Sequence, residues 1–312
     1  MSAKNILHKE AGSYLREHLN LVWLRPESAL WDAIASSLVS RYNVMSPSLD
    51  LGCGSGLFSF ITAGGRFSCE YDVYVNLSAE GFWENKDIYD AAAVKDLDTY
   101  IVKSPRGKFD FGLDHKKNLL NQAGMLHCYR ELKLHNANNR LPFADGELGT
   151  VFSNIIYWLD DLKKSIREIY RVLRKGGTAI LCMPNTKFLD YCASYRWREK
   201  RSELLKMLNR GRSDNLKWVI SYKDFAGLAR KEGFTILDHK YYLSGTTLKF
   251  WDIGLRPLSP LLIKMSNMLD PQERAGIKKE WMNTVLRFIE PLYAQDLASK
   301  QEGGFHLFLL KK

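Results

Sequence analysis

The feature that most constrains this 312-residue chain is the run Ser48-Leu49-Asp50-Leu51-Gly52-Cys53-Gly54-Ser55-Gly56-Leu57-Phe58-Ser59. An apolar strand end meets an acid, then glycine at every second position, then the start of an apolar helix. Glycine adopts positive φ at little cost and lets a ligand approach the backbone. The helix start behind it offers free N–H groups and a positive dipole end. At the end of the first strand of an open α/β sheet, such a loop marks a nucleotide-type site. The spacing is not the dinucleotide fingerprint, which has two residues before its last glycine, and no Gly-Lys-Ser/Thr follows as a P-loop requires.

Composition sets the outer limits. With 46% apolar and 26% charged residues the chain is globular in type. It is long enough for an α/β core and additional helical segments. No apolar run reaches membrane-span length, and the polar start Met1-Ser2-Ala3-Lys4-Asn5 lacks the apolar core of a signal peptide. Five cysteines without close pairs predict free thiols in a reducing, cytoplasmic setting and no structural metal. Net charge is +10, much of it in 187–217, including Arg196, Arg198, Arg201 and Arg212. That segment reads as a solvated helical face, or as a surface for an anionic partner. No nucleic-acid module signature is present, so nucleic acid is not the expected partner.

The Asp-x-Gly-x-Gly-x-Gly pattern at Asp50–Gly56 resembles motif I of class I S-adenosylmethionine-dependent methyltransferases. Further similarities follow in order. Ser165–Gly177 resembles the family's Leu-Arg-Glu-x-x-Arg-Val-Leu-Lys-Pro-Gly-Gly run, with Lys175 in place of the proline, and Gly233-Phe234 precedes an apolar strand as in the family's penultimate strand. The resemblance covers roughly 45–65, 108–184, 220–243 and the C-terminal strand. It implies an α/β fold: a seven-stranded, mostly parallel, doubly wound sheet with an antiparallel last strand, here carrying helical cap insertions. The expected organisation is a helical segment 1–44, a core 45–243 with insertions at about 64–107 and 187–219, a helical insertion 244–302 and a last strand 303–312.

The cofactor implied is S-adenosyl-L-methionine. In the family an acid after the second strand accepts from both ribose hydroxyls, and two acids compete for that place: Asp72, about twenty residues on, and Asp114. Asp114 is preferred because a helix (118–129), a strand (131–135) and Leu141-Pro142-Phe143 follow it, as they follow the family's ribose acid. The expected cofactor residues are then Asp50, Gly52, Cys53, Gly54 and Gly56 of the loop, Asp114 and His115, Asn136 and Ala137 in the adenine loop, and Ser153 and Asn154 after the fourth strand. His135-Asn136-Ala137 replaces the usual Asp-Ala, and an Asn oxygen can still accept from an adenine amino group.

After the fourth strand the family often carries a His-His or Glu-His pair; here Tyr157-Trp158 stands there. The catalytic candidates are Tyr157 and Asp72, the latter in a cap formed by 64–107, with His18 and His115 as alternatives. Tyr14 and Trp31 are candidate acceptor-side aromatics that are also plausible core residues. The pattern of core and insertions is most similar to bacterial polysaccharide and natural-product methyltransferases. That implies O-methylation of a small-molecule, sugar or glycolipid acceptor. An RNA or protein methyltransferase, and a binding module without turnover, are the other readings. The apolar stretch 251–268, interleaved with Arg256, Lys264 and two prolines, suggests either a lid or peripheral membrane contact.

Overall fold

The computed structural model describes residues 14–75, 77, 96–107, 109–197, 216–255 and 258–312. A helical stretch at 14–21 leads into α1 (Pro26–Val39), which starts with proline, whose missing N–H costs nothing in a first turn. The chain then builds β1 (Ser48–Leu51), α2 (Leu57–Thr62), β2 (Arg66–Phe67), β3 (Ile101–Lys103), β4 (Phe109–Asp114), α3 (Lys117–Met125), β5 (Tyr129–Leu134), β6 (Leu148–Ser153), α4 (Leu162–Val172) and β7 (Leu173–Pro184). Two short helices, α5 (Lys187–Tyr191) and α6 (Ala193–Arg196), precede α7 (Tyr222–Lys231) and β8 (Thr235–Tyr242). The chain closes with α8 (Gly245–Ile253), α9 (Ser259–Ser266), α10 (Pro271–Ala298) and β9 (Phe305–Lys311).

Seven strands form one sheet in the order β5-β4-β1-β6-β7-β9-β8. The first five are parallel, and β9 runs antiparallel between β7 and β8. This is the expected class I arrangement. Its central strands are buried on both faces because helices cover both: every residue of β1 and β6 is buried. One core cluster lies under α4 and α7, a second under α1, α8 and α10, and a third joins α2, β2, α3 and β5. Helix α4 shows why its sequence folds as it does. Asp161 caps it by accepting from Lys164 N–H at 2.9 Å, and Leu162, Ile166, Ile169 and Val172 form its buried stripe.

Several boundaries differ from the sequence reading for local reasons. The helix expected to run to Arg174 ends at Val172, because Leu173 already pairs with Leu148 across the sheet. The helix expected over 118–129 ends at Met125, because Tyr129 belongs to β5 and reaches back to β1. The 64–107 insertion starts as a two-stranded antiparallel ribbon, β2 with β3, closed by Ser68 N–H to Tyr100 O at 2.8 Å. Its centre, 78–95, lies outside the described residues, as does most of the basic segment, 198–215. Among the described residues, no helix is long and apolar enough to cross a membrane.

Candidate active site

The three glycines of the loop each answer to a different constraint. Gly52 has φ +81°, and an added Cβ would run into Ile155, so the loop after β1 and the segment after β6 touch only because position 52 has no side chain. Gly56, φ +76°, caps α2; a Cβ there would meet Tyr129 at 2.9 Å and Leu126 at 3.2 Å. Gly54 is the open one: φ is +55° and an added Cβ would meet nothing nearer than Leu119 Cδ1 at 4.0 Å. Gly52 and Gly56 therefore serve packing, while Gly54 faces space. Gly56→Ala is expected to lower stability by about 1–3 kcal/mol through strain and overpacking, read by urea denaturation.

Asp114 ends β4, the strand beside β1, and faces this loop. One carboxylate oxygen accepts from Gly54 N–H at 3.0 Å and the other from Lys116 N–H at 2.8 Å. Gly52 and Cys53 N–H both donate to Leu113 O, at 2.8 and 3.0 Å. The two strand ends are thus sewn together edge to edge. Each Asp114 oxygen keeps a lone pair for one further donor. An open glycine beside a two-oxygen acceptor fits a ribose diol. His115, by contrast, is exposed, its Nδ1 3.5 Å from the Asp114 carboxylate.

The other expected cofactor residues divide. Asp50 is buried, and one oxygen holds both Ser59 Oγ at 2.5 Å and Tyr129 OH at 2.7 Å. Burial pushes its carboxyl up to about 6 despite those two donors. It clasps α2 and β5 to β1 and sits behind the loop. Ser153 is likewise turned inward, its hydroxyl donating to Leu51 O at 2.9 Å. Asn154 is partly exposed beside it. Cys53 is partly buried, and burial raises its thiol far above the usual range. In the loop after β5, Asn136 Oδ1 accepts from Asn138 N–H at 3.0 Å, and Ala137 packs on the core. Asn138 is the residue that ties this loop down, accepting from Asp160 N–H and Lys164 Nζ, both at 2.8 Å.

The two catalytic candidates sit in different surroundings. Asp72 is buried among donors: Trp23 Nε1 at 2.8 Å, Arg274 Nε at 2.9 Å and Tyr74 N–H at 2.9 Å. With two donors on Oδ2 and one on Oδ1, this carboxylate anchors α10 to the inserted segment. Tyr157 lies in a short turn after β6, its ring 5.7 Å from Phe305 and edge-on to it. Burial raises its hydroxyl well above the ordinary phenol range. It can donate a hydrogen bond to an acceptor but does not serve as a base. His18 is no better placed: it is buried against Ser36 Oγ at 2.8 Å, and burial pushes its pKa down to about 3. Tyr14 donates to Thr62 O at 3.2 Å, a packing contact.

The sequence reading missed Asp32. It projects from α1 beside Trp31, whose ring lies 4.7 Å from Trp251 and 4.8 Å from Phe305. Phe188 and Tyr195 continue the aromatic wall, with ring centroids 5.5 Å apart. Asp32 is partly exposed and accepts no hydrogen bond from any described residue. Its surroundings push its carboxyl up to about 7, with Arg25 pulling the other way, and its charge is felt at Tyr157 and Tyr242. The available signal was a lone acid in the apolar run Leu30-Trp31-Asp32-Ala33-Ile34.

Residues 98–181 match a family profile described as a methyltransferase domain. That segment carries a methyltransferase domain. The matched segment starts beyond most of the 64–107 insertion, which separates the glycine loop from the rest of the core. The methyl donor of such a domain is S-adenosylmethionine. A search of the curated proteins finds no match. Among solved structures, the chain overlaps an S-adenosylmethionine-dependent methyltransferase from Thermotoga maritima, described as a possible histamine N-methyltransferase, at 14% identity over 91% of this chain and 89% of that one, with a TM-score of 0.45. A methyltransferase from Mesorhizobium loti overlaps at 11% identity over 89% and 98%, also at 0.45. Phosphoethanolamine N-methyltransferase 2 of Haemonchus contortus, bound to S-adenosyl-L-methionine, overlaps at 16% identity over 90% and 52%, at 0.45. Overlaps of this size carry no weight for the acceptor.

Proposed function

We propose that this methyltransferase acts on a hydroxyl of a small-molecule, sugar or glycolipid acceptor held against the Trp31–Phe305 aromatic wall, with Asp32 taking the proton. The observation that most supports a working nucleoside site is the Asp114 carboxylate on Gly54 N–H at 3.0 Å, which leaves both oxygens able to receive a ribose hydroxyl. When bound, S-adenosylmethionine supplies an activated methyl group. Asp114 and the Gly54 loop would hold that nucleoside, and its methyl group would pass to the acceptor oxygen with the thioether as leaving group. The hydroxyl proton passes to a carboxylate whose pKa lies near neutrality, where a general base works best. Tyr157 donates a hydrogen bond that orients the acceptor. Holding the two reactants in line contributes about 7–11 kcal/mol to the rate.

Calorimetry with S-adenosylmethionine and S-adenosylhomocysteine tests the cofactor half, and no heat with either would sink it. The placement of Asp32 has a test that needs no acceptor. Its carboxyl titrates near 3.8 when unfolded and about 7 when folded, so the folded protein holds the proton more tightly. Stability from this group is complete below about pH 4 and is lost as pH rises through about 7. Asp32→Asn should remove that slope, so that wild type and variant diverge with rising pH in thermal melts, with the variant becoming the more stable. Parallel curves would place Asp32 in open solvent and remove it as the base. Its affinity for S-adenosylmethionine should match wild type.

A further inference from the structure

Helix α9 has apolar residues on both sides. Ile263 is fully buried and Ser266 nearly so, fixing the inner face to the core. On the outer side, Leu258, Leu261, Met265 and Met268 follow the i, i+3, i+7, i+10 spacing of one helical face, and their exposure runs from 50% at Leu258 to 80% at Met268. Ile253, just before the segment, is equally exposed. The helix is held in place: Asn267 donates to Leu77 O at 3.1 Å and accepts from Arg274 Nη1 at 2.6 Å. Water is a poor partner for a fixed, contiguous apolar ridge, and such ridges mark interaction surfaces.

The charges select the partner. From Ile253 to Asn267 the sequence contains Arg256 and Lys264 and no acid. Lys264 is exposed within the ridge. Of the two acids that flank the ridge, Asp252 is buried and taken up by Ser194, whose N–H and hydroxyl lie 3.0 and 2.6 Å from its two oxygens, and Asp270, exposed two residues after Met268, is engaged at the start of α10, accepting from Gln272 and Glu273 N–H at 2.8 and 2.9 Å. The molecule as a whole carries +10. An apolar ridge that carries Lys264 and no acid between Leu258 and Met268 complements an anionic, deformable apolar surface. The ridge also continues from the acceptor wall, since α8, which leads into it, holds Trp251 against Trp31.

We propose that the outer face of α9, with Leu258, Leu261, Met265 and Met268 inserted and Lys264 at the headgroups, docks this protein on an anionic lipid bilayer beside its acceptor recess. Docking itself does not depend on the methyltransferase reading; the identification of a lipid-associated acceptor does.

Co-sedimentation with phosphatidylcholine vesicles containing about 30% phosphatidylglycerol tests it, with pure phosphatidylcholine vesicles as the comparison. The expected result is partition onto the anionic vesicles that weakens with added salt. The triple variant Leu261→Glu, Met265→Glu, Met268→Glu should lose about tenfold or more of that partition, and Lys264→Glu should lose part of it. All three proteins should keep the same circular dichroism and melting profile, because the altered side chains face outward. Calorimetry with S-adenosylmethionine, run in parallel, reports the cofactor site separately. No partition by wild type, or equal partition by the triple variant, overturns the proposal. So does sedimentation velocity showing a wild-type dimer that the triple variant converts to monomer, which would assign the ridge to a second copy of the chain.

Discussion

Asp114→Ala should bind S-adenosylmethionine about 10–150-fold more weakly than wild type, with the loss read directly by calorimetry. The figure follows from the about 1.5–3 kcal/mol carried by a hydrogen bond to a charged group. Part of the loss would come from the loop itself, because the same carboxylate holds Gly54 and Lys116 N–H. Asp114→Asn separates the contributions. One amide oxygen still accepts, but the NH2 that replaces the other oxygen cannot take a backbone or ribose hydrogen. It should fall between the two. Unchanged affinity in Asp114→Ala would remove the ribose assignment.

The second large effect concerns stability. Arg274→Ala should cost about 3–5 kcal/mol in urea denaturation, because it leaves the Asp72 carboxylate buried with only the neutral donors Trp23 and Tyr74. It would also release Asn267 and so loosen α9. Replacing both charges together, Asp72→Asn with Arg274→Met, should be milder, since the pair is removed as a unit and the cation that remains nearby, Lys278, keeps its bond to Tyr71 O. An Arg274→Ala variant as stable as wild type would mean that Asp72 is solvated and available for chemistry after all.

The central sheet was legible because its signals are local. The apolar strand ends, Gly233 before β8, and the Gly303-Gly304 pair before β9 all mark boundaries that the backbone obeys. Asp114 was placed by the order of elements after it, and the structure sets it on the strand beside β1. What the residues do was less legible, because it depends on partners far away in the chain. Asp50 and Asp72 read as functional acids, and each also accepts from donors that no spacing rule reveals: Tyr129 lies 79 residues from Asp50, and Arg274 lies 202 from Asp72. Asp32 went unremarked for the opposite reason. Its lack of a hydrogen-bonding donor among the described residues becomes visible only once α1, β9 and α8 are side by side.

The distance along the chain between Gly54 and Asp114, the two halves of the proposed nucleoside cradle, has a consequence for how that contact assembles. Gly54 and Asp114 are 60 residues apart, where about 20 is usual for this kind of fold. Closing the longer loop costs about 1 kcal/mol more in chain entropy. The β2–β3 ribbon offsets this by joining the excursion to itself near its base, at Phe67 and Ile101, so the open path between the halves is much shorter than the count suggests. The excursion is topologically a side branch. A chain in which residues beyond that pinch are replaced by a short turn should still bring glycine and acid together, and what it would lose is whatever the branch itself contacts.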